Sequence, residues 1–503
     1  MDLAVLDRLR PSRQQLPTSR WRFVGLVAGM VLAAASWFCA ALPDDYPTVW
    51  LGIEPWRSVG GSPLAASIVL VALGAQVYAW WALRDLDVTV CWLRATAVAW
   101  FGPLLLSAPL FSRDVYSYAV QGLMLHEGLD PYTQEVRVLD SPWASSAPAT
   151  STPAPYGPLF LQVARLAAAA SGGHLLVAVF LLRLLAVAGV VVIAVAMPVI
   201  ARRIGVDPAR ATWLAVVCPL LGIHLVSGAH NDALMVAGML GGVALALSGR
   251  AALAVLVVAL ATTIKAPAVV VLPFLVVLGA PRHMRQLQVT WALLVSRLVL
   301  AGLAVVAVVV GVSIGLRLGL SWLTTVSSPG QSVQWTSVPT AWGMAVRSVG
   351  DLVGVAFADG AVTLFRALGL LLLAVTLVGL WLHAAAQHRD RRLVVQGAGL
   401  AVLAVIVLAP SFRPWYLLWA FPLLAATTRA RRSLTAYAIV ASILTFAVLP
   451  GGYSLALTTT WVGVPLMVVT TAVLAVKAAR RARHHPWRQA FTLADETTVI
   501  PDR

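Results

Sequence analysis

Lysine is all but absent from this chain. Lys265 and Lys477 are the only two, so arginine carries almost all of the positive charge. A GC-rich coding sequence accounts for that, and no function follows from it. Cysteine is scarce too: Cys39, Cys91 and Cys218 each fall in an apolar stretch with no metal-ligand spacing, which supports neither a disulfide framework nor a zinc site. Charge of either sign is sparse, at 11% of residues against about a quarter in a soluble domain. With 60% of the 503 residues hydrophobic, a water-soluble globule is excluded. Also missing are an internal repeat, a low-complexity tract longer than Ala144 to Pro155, and a polar segment long enough to fold as a separate domain. The net charge of +16 does not point to nucleic acid, because the arginines are scattered between apolar runs rather than gathered in a stripe.

What the chain has in abundance is apolar runs of spanning length. A helix needs about 20 apolar residues to cross the hydrocarbon, and open strands would leave backbone groups unpaired in lipid. The expected fold is therefore an all-α polytopic membrane protein. About fourteen spans are expected, near 22–42, 64–83, 91–110, 175–201, 211–228, 233–248, 251–264, 266–279, 289–315, 362–383, 393–410, 415–427, 433–449 and 457–477. The first follows basic residues as a signal peptide would, but Pro43, Asp44 and Asp45 stand where small cleavage-site residues belong, so it reads as a retained span. This divides the chain into a cytoplasmic tail (1–21), two leading helices (22–90), a main module (91–477) and a cytoplasmic tail (478–503).

The charge pattern sets the topology. With the amino terminus inside, Arg84 with Arg94, Arg202 with Arg203 and Arg210, Arg250, Arg282 with Arg285, Arg389 with Arg391 and Arg392, Arg429 with Arg431 and Arg432, and Lys477 to Arg488 all fall in the cytoplasm. That agreement requires the stretch 156–170 to lie along the outer surface with Arg165 toward water, and Lys265 to sit at an outward-facing break between two short helices. The long outer connections are then 111–174 and 316–361, the second holding Trp322, Gln331, Gln334, Trp335 and Trp342. Two long loops on one face of a bundle are where a site is expected.

Four polar groups on that face need a reason, since polar groups at membrane depth are costly. Asp114, in Ser112-Arg113-Asp114-Val115-Tyr116-Ser117-Tyr118, suits a general base at a helix end, or a helix cap paired with Arg113. His230-Asn231-Asp232 suits sugar hydroxyls, or simple capping of the next helix; metal binding lacks a second cluster of ligands. Lys265, just before Pro267, suits a phosphate, or snorkels to the interface. Arg413 suits a bidentate phosphate clamp, with Trp415 and Tyr416 either stacking on a sugar or belonging to the interfacial aromatic belt. One base and two cations facing a common outer cavity fit transfer of a group from a phosphate-activated donor.

At these residues the sequence resembles the GT-C glycosyltransferases that use polyprenyl-phosphate sugars, and specifically the polyprenol-phosphomannose-dependent alpha-1,6-mannosyltransferases of mycobacterial-type lipomannan synthesis. The likeness runs through Phe111 to Tyr118, Gly128-Leu129-Asp130-Pro131-Tyr132, Ala154-Pro155-Tyr156-Gly157-Pro158, His230-Asn231-Asp232, Lys265-Ala266, Val338-Pro339-Thr340 and Pro414-Trp415-Tyr416. It implies a GT-C bundle with surface-lying helices in the outer loop 111–174 and Asp114 as the acidic catalytic residue, acting as base. Asp44 and Asp45 also follow an outward span but lack the surrounding motif. It further implies a polyprenyl-phosphomannose donor, a mannan glycolipid acceptor and inverting transfer without cofactor or metal. Lys265 and Arg413 would bind the donor phosphate, and Arg113, Tyr116, Tyr118, Tyr156, His230, Asn231, Asp232, Trp415 and Tyr416 would bind substrate. A lipid-linked sugar transporter or flippase is the alternative, since broken helices suit it, but there is no two-halved repeat and the polar residues gather at one face. A non-catalytic membrane scaffold has no use for a base and cations so arranged.

Overall fold

The computed structural model describes residues 15–40, 62–148, 151–280, 287–327, 330, 332–354 and 360–484. Asp44, Asp45, Arg8, Arg10, Arg13, Arg282, Arg285, Gln331 and the tail beyond 484 lie outside the described residues. The chain is helical, and the β pairing among the described residues is one isolated bridge, Val448 with Ser454. The leading helices are α1 (Gln15–Cys39), α2 (Pro63–Ala82) and α3 (Val90–Phe101). The first outer segment carries α4 (Asp114–His126) and α5 (Pro158–Ala170). Then come α6 (Leu175–Arg203), α7 (Pro208–Ala215), α8 (Pro219–Ser227), α9 (Asp232–Leu247), α10 (Ala251–Thr262) and α11 (Ala266–Leu278). The carboxyl-terminal part holds α12 (Leu287–Gly315), α13 (Val338–Leu352), α14 (Ala361–Ala386), α15 (Arg391–Leu408), α16 (Leu417–Thr427), α17 (Arg431–Thr445) and α18 (Thr460–His484).

Seven of these helices are long and apolar enough to cross a membrane, and the pair α7–α8, bent by 48°, makes an eighth if it is one span. The other expected spans are helices of 11 to 16 residues, shorter than the roughly 20 that a straight crossing takes. Proline sets the breaks. Pro219 opens α8 after an extended Cys218, and Pro267 follows an extended Lys265 (φ −153°, ψ 122°) between α10 and α11. On α14 and α18, Leu371, Leu372, Val375, Leu466, Val469 and Leu474 face outward, a wall of apolar surface that needs lipid around it.

One arginine fastens the helix ends beneath the outer segment. Arg183 on α6 is buried, and it donates to the carbonyls of Leu105 and Ser107 beyond α3 (2.9 and 2.7 Å) and of Ser227 at the end of α8 (2.9 Å). The far end of α6 meets the other end of the bundle. There Arg203 and Arg391 both donate to the Leu247 carbonyl (3.0 and 3.2 Å), Arg429 donates to Gly205 (3.0 Å), and Arg431 pairs with Asp85 (2.8 Å). Basic clusters that the chain scatters over several loops thus gather at the end opposite Ser227.

Helix α5 has 13 residues, about 20 Å at 1.5 Å per residue, too short for a hydrocarbon layer of about 30 Å. Its buried face, Phe160, Leu161, Ala164, Ala167 and Ala168, packs on α4, while Arg165 is exposed, the arrangement expected of a helix lying along a surface. The start of α5 is tied to the Lys265 break: Gly157 N–H donates to Ile264 (3.0 Å) and Leu159 N–H to Thr263 (3.1 Å). Tyr132 O–H donates to the Tyr156 carbonyl (2.9 Å) and Ala154 N–H to Pro131 (2.9 Å), so two motifs about 25 residues apart form one knot. A Cβ on Gly157 would fall on the Thr263 carbonyl. Gly157→Ala is therefore expected to cost about 1–3 kcal/mol by forcing backbone apart. Thermal unfolding in detergent checks this, with Gly74→Ala, which meets nothing within 4 Å, as the neutral control.

Candidate active site

The knot and the helix breaks surround a cavity of about 460 Å³. It is lined by Ser112, Arg113, Asp114 and Ser117 from the start of α4, by Tyr156 from the start of α5, and by Arg413, Trp415 and Tyr416 from the turn before α16. Asp114 is the acid in this lining and Arg113 and Arg413 are the cations, so the wall carries one carboxylate and two guanidinium groups. The Asp114 side chain is 31% exposed, open enough to meet a ligand, and its N–H is held by Ser112 Oγ (3.1 Å). Arg113 donates to the Ser146 carbonyl (3.3 Å), leaving its buried Nε without a hydrogen-bond partner. Arg413 donates to Gln334 Oε1 (3.2 Å), which brings the second outer loop to the rim.

The backbone is strained on the approach to both motifs. Phe111 has φ +62°, and its N–H donates to Pro450 (2.9 Å); Ala229, directly before His230, has φ +51°. Residues with a side chain avoid this left-handed region at a cost of about 1–2 kcal/mol, so packing must hold them there.

Behind the cavity wall lies a second layer, fully buried. His230, Asn231 and Asp232 are each at most 2% exposed, as are Tyr116 and Tyr118 beneath α4, and none of the five lines the cavity. They were expected to touch substrate. Instead, the turn between α8 and α9 points inward, so they contact the residues that form the wall. His230 lies against Trp415, with ring centroids 4.3 Å apart and planes at 31°. Its Nδ1 is 3.4 Å from Tyr118 Oη, 3.6 Å from Asp114 Oδ2 and 3.8 Å from Asp232 Oδ2. His230 stands in the connection between two spans, where burial holds its imidazole below the ordinary value against the opposing pull of Asp114 and Asp232. Tyr156 at the wall stays protonated, because burial, and then the nearby Asp114, raises its phenol well above the usual range.

Lys265 also belongs to this layer. Its Nζ donates to Asp232 Oδ1 (2.8 Å), and it lies 5.3 to 5.8 Å from the ring centroids of Tyr156, Tyr416 and Trp419. An aromatic cage around an ammonium already paired with a carboxylate leaves little of its charge for the cavity. Trp419, which also donates to Asp232 Oδ1, is the residue the sequence reading missed. The signal was there: Trp419 follows Trp415 by four and Tyr416 by three, the helical spacing that stacks it on Tyr416 at 4.1 Å. Among the described residues no three of His, Cys, Asp and Glu converge as metal ligands would.

Breaking the buried ion pair from one side leaves an uncompensated charge, which costs about 3–5 kcal/mol. Lys265→Met is expected to lower the apparent unfolding temperature sharply, and Asp232→Leu likewise. The double variant should recover most of the loss, and a thermal-shift comparison of the four proteins measures it.

Known proteins resemble this chain over most of its length. Residues 22–281 match the family model of the alpha-(1->6)-mannopyranosyltransferase N-terminal domain, and residues 339–480 match the MptB C-terminal domain. The chain is 34% identical over 429 residues to alpha-(1->6)-mannopyranosyltransferase A of Mycobacterium tuberculosis, covering 82% of this chain and 81% of the relative. It is 29% identical over 474 residues to alpha-(1->6)-mannopyranosyltransferase B of Corynebacterium glutamicum, covering 86% and 77%. No solved structure matches. With matches at this level along both halves, the chain belongs to the alpha-(1->6)-mannopyranosyltransferase family.

Proposed function

We propose that this protein is an inverting mannosyltransferase that moves mannose from a polyprenyl-phosphomannose to the 6-hydroxyl of an α-1,6-mannan glycolipid acceptor of lipomannan type, at the extracytoplasmic face of the plasma membrane. The observation that carries this reading is the cavity wall itself, one partly exposed carboxylate and two guanidinium groups on a shared lining, in a chain of this family. The gathering of basic clusters at the opposite end of the bundle supports the orientation, since that end is the one expected in the cytoplasm together with both termini. The segment assigned to the two leading helices, 22–90, precedes the module of 91–477 that holds the site.

Asp114 is the base. Its carboxylate accepts the proton of the acceptor 6-hydroxyl as that oxygen forms a bond to the anomeric carbon and the bond from that carbon to the lipid phosphate breaks. Attack from the face opposite the leaving group turns a β-linked donor into an α-linked product. No covalent sugar intermediate is needed, so one carboxylate suffices. A lipid phosphate leaves as an anion near neutral pH and needs a cationic cradle more than an acid. Arg413 and Arg113 supply it directly, while Lys265, neutralised by Asp232 in the layer behind, holds the aromatic wall in place. Trp415, Tyr416 and Tyr156 give flat faces for the sugar rings. Tyr116, Tyr118, His230, Asn231 and Asp232 hold those groups in place from beneath. The polyprenyl chain lies between spans in lipid, and the acceptor reaches the cavity from the aqueous side. No cofactor takes part.

Purified protein supplied with polyprenyl-phosphomannose and a short α-mannoside is expected to form an α-1,6-linked product. Asp114→Asn should lower kcat by about 10²–10⁴-fold with the donor still bound. Arg413→Ala should weaken donor use by about tenfold, the loss of one charge-assisted hydrogen bond of about 1.5–3 kcal/mol, partly compensated by Arg113. A fully active Asp114→Asn variant removes the assignment of the base.

A further inference from the structure

Counted apart from the guanidinium groups of the wall, His230, Asp232, Lys265 and the adjoining Asp114 are together one positive charge short. Asp232 and Lys265 cancel at 2.8 Å, His230 is neutral while burial dominates, and Asp114 remains negative. A proton taken up during transfer would bring the four groups to neutrality. The ring of His230 lies where that proton can rest: completely buried, with Nδ1 between Asp114 Oδ2 (3.6 Å) and Asp232 Oδ2 (3.8 Å). Asp232 Oδ2 is fully buried and has no hydrogen-bond partner, and neither has His230 Nε2. An unsatisfied carboxylate oxygen facing an imidazole in the interior is costly unless the ring at some point becomes a donor to it.

We infer that His230 is a positioning residue that takes the acceptor's proton over from Asp114, so that the base is returned to its ionised form through the protein interior. This rests on the reading of Asp114 as the base. The acceptor O–H bond breaks as the Asp114 O–H bond forms. The Asp114 O–H bond then breaks as an N–H bond forms at His230 Nδ1, leaving Asp114 as carboxylate and His230 as imidazolium. Asp232 balances the new charge, and once product has gone the His230 N–H bond breaks as the proton returns to the Asp114 carboxylate, which is open to the cavity, and passes from there to solvent. The 3.6 Å gap is longer than a hydrogen bond, and rotation of the Asp114 carboxyl closes it; such contacts are often long in unliganded enzymes. The groups that face the ring are Asp114 and Tyr118 from α4, His224 from α8, Asp232 from α9, Trp415 from the turn before α16, and Lys265 from the break between α10 and α11. Trp415 confines the imidazole to one plane, and the left-handed backbone at Ala229 fixes where the ring starts.

The test is the transfer assay with the full-length protein in detergent or lipid discs, following kcat and donor KM from acid to neutral pH. In the wild type kcat should fall toward acid as His230 becomes protonated beforehand and can no longer accept. His230→Gln, of similar size, should lose about 100-fold in kcat at unchanged donor KM and lose that acidic limb. His230→Ala should be rescued at least tenfold by added imidazole, saturably and in step with its neutral form, whereas Asp114→Asn should not respond. Thermal unfolding establishes that each variant is folded. Wild-type kcat in His230→Gln, the same acidic limb in that variant, or no rescue of folded His230→Ala would each overturn the relay. If Asp114→Asn is inactive and His230→Gln is not, the relay alone fails. If Asp114→Asn is fully active, or the wild type makes no mannoside, the proposed function fails and takes the relay with it.

Discussion

The rest of the site depends on the pairing of Lys265 with Asp232 in the interior. Lys265 is placed by a proline-enforced break between two short helices, and Asp232 opens the helix that follows His230. Their ion pair is closed over by Tyr156, Tyr416 and Trp419, and two of those rings form the wall of the cavity. Four separate stretches of chain therefore converge on one charge-neutral unit. A buried pair of this kind is weak as a source of net stability but strict about geometry, since displacing either partner exposes a bare charge to a low dielectric. That strictness is useful where a carboxylate and two guanidinium groups must keep their spacing around a substrate.

The surrounding fold serves the same end. Arg183 binds three carbonyls from two helix ends, satisfying groups that lipid and apolar side chains cannot. The short helix α5 packs on α4 beside the knot, and Gly122 and Gly157 allow its backbone to touch α4 and the Lys265 break without an intervening side chain. Broken helices let irregular backbone reach the interior because it is covered by protein on all sides there.

Much of this was legible in the sequence, for physical reasons that can be named. Apolar run length gave α2, α6, α12, α14 and α15 to within about three residues of their ends, because lipid imposes one length scale on every span, whereas α1 begins and α18 ends about seven residues beyond the expected spans. The requirement that the basic clusters share a side gave the short α5 and the break at Lys265. The composition of the cavity wall followed from the motifs around Asp114 and Arg413. Layering within the site did not follow. His230, Asn231 and Asp232 read as an outward polar patch, yet the fold turns them beneath Trp415, since a one-dimensional pattern does not say which side of a turn faces the interior. Lys265 read as a free cation because its partner lies 33 residues away and its cage includes Trp419, an aromatic residue indistinguishable in sequence from an interfacial belt. Apolar content also records burial in protein and burial in lipid alike, so it does not separate the shorter helices α3, α9, α10, α11, α16 and α17 from full-length spans.

The central claim, direct displacement on a single carboxylate, is tested most directly by the anomeric configuration of the first-formed product. With a β-linked mannosyl phospholipid as donor and NMR of the disaccharide product before any equilibration, the account predicts an α linkage to the 6-hydroxyl. A β linkage, which requires a covalent intermediate or a second nucleophile, would contradict it.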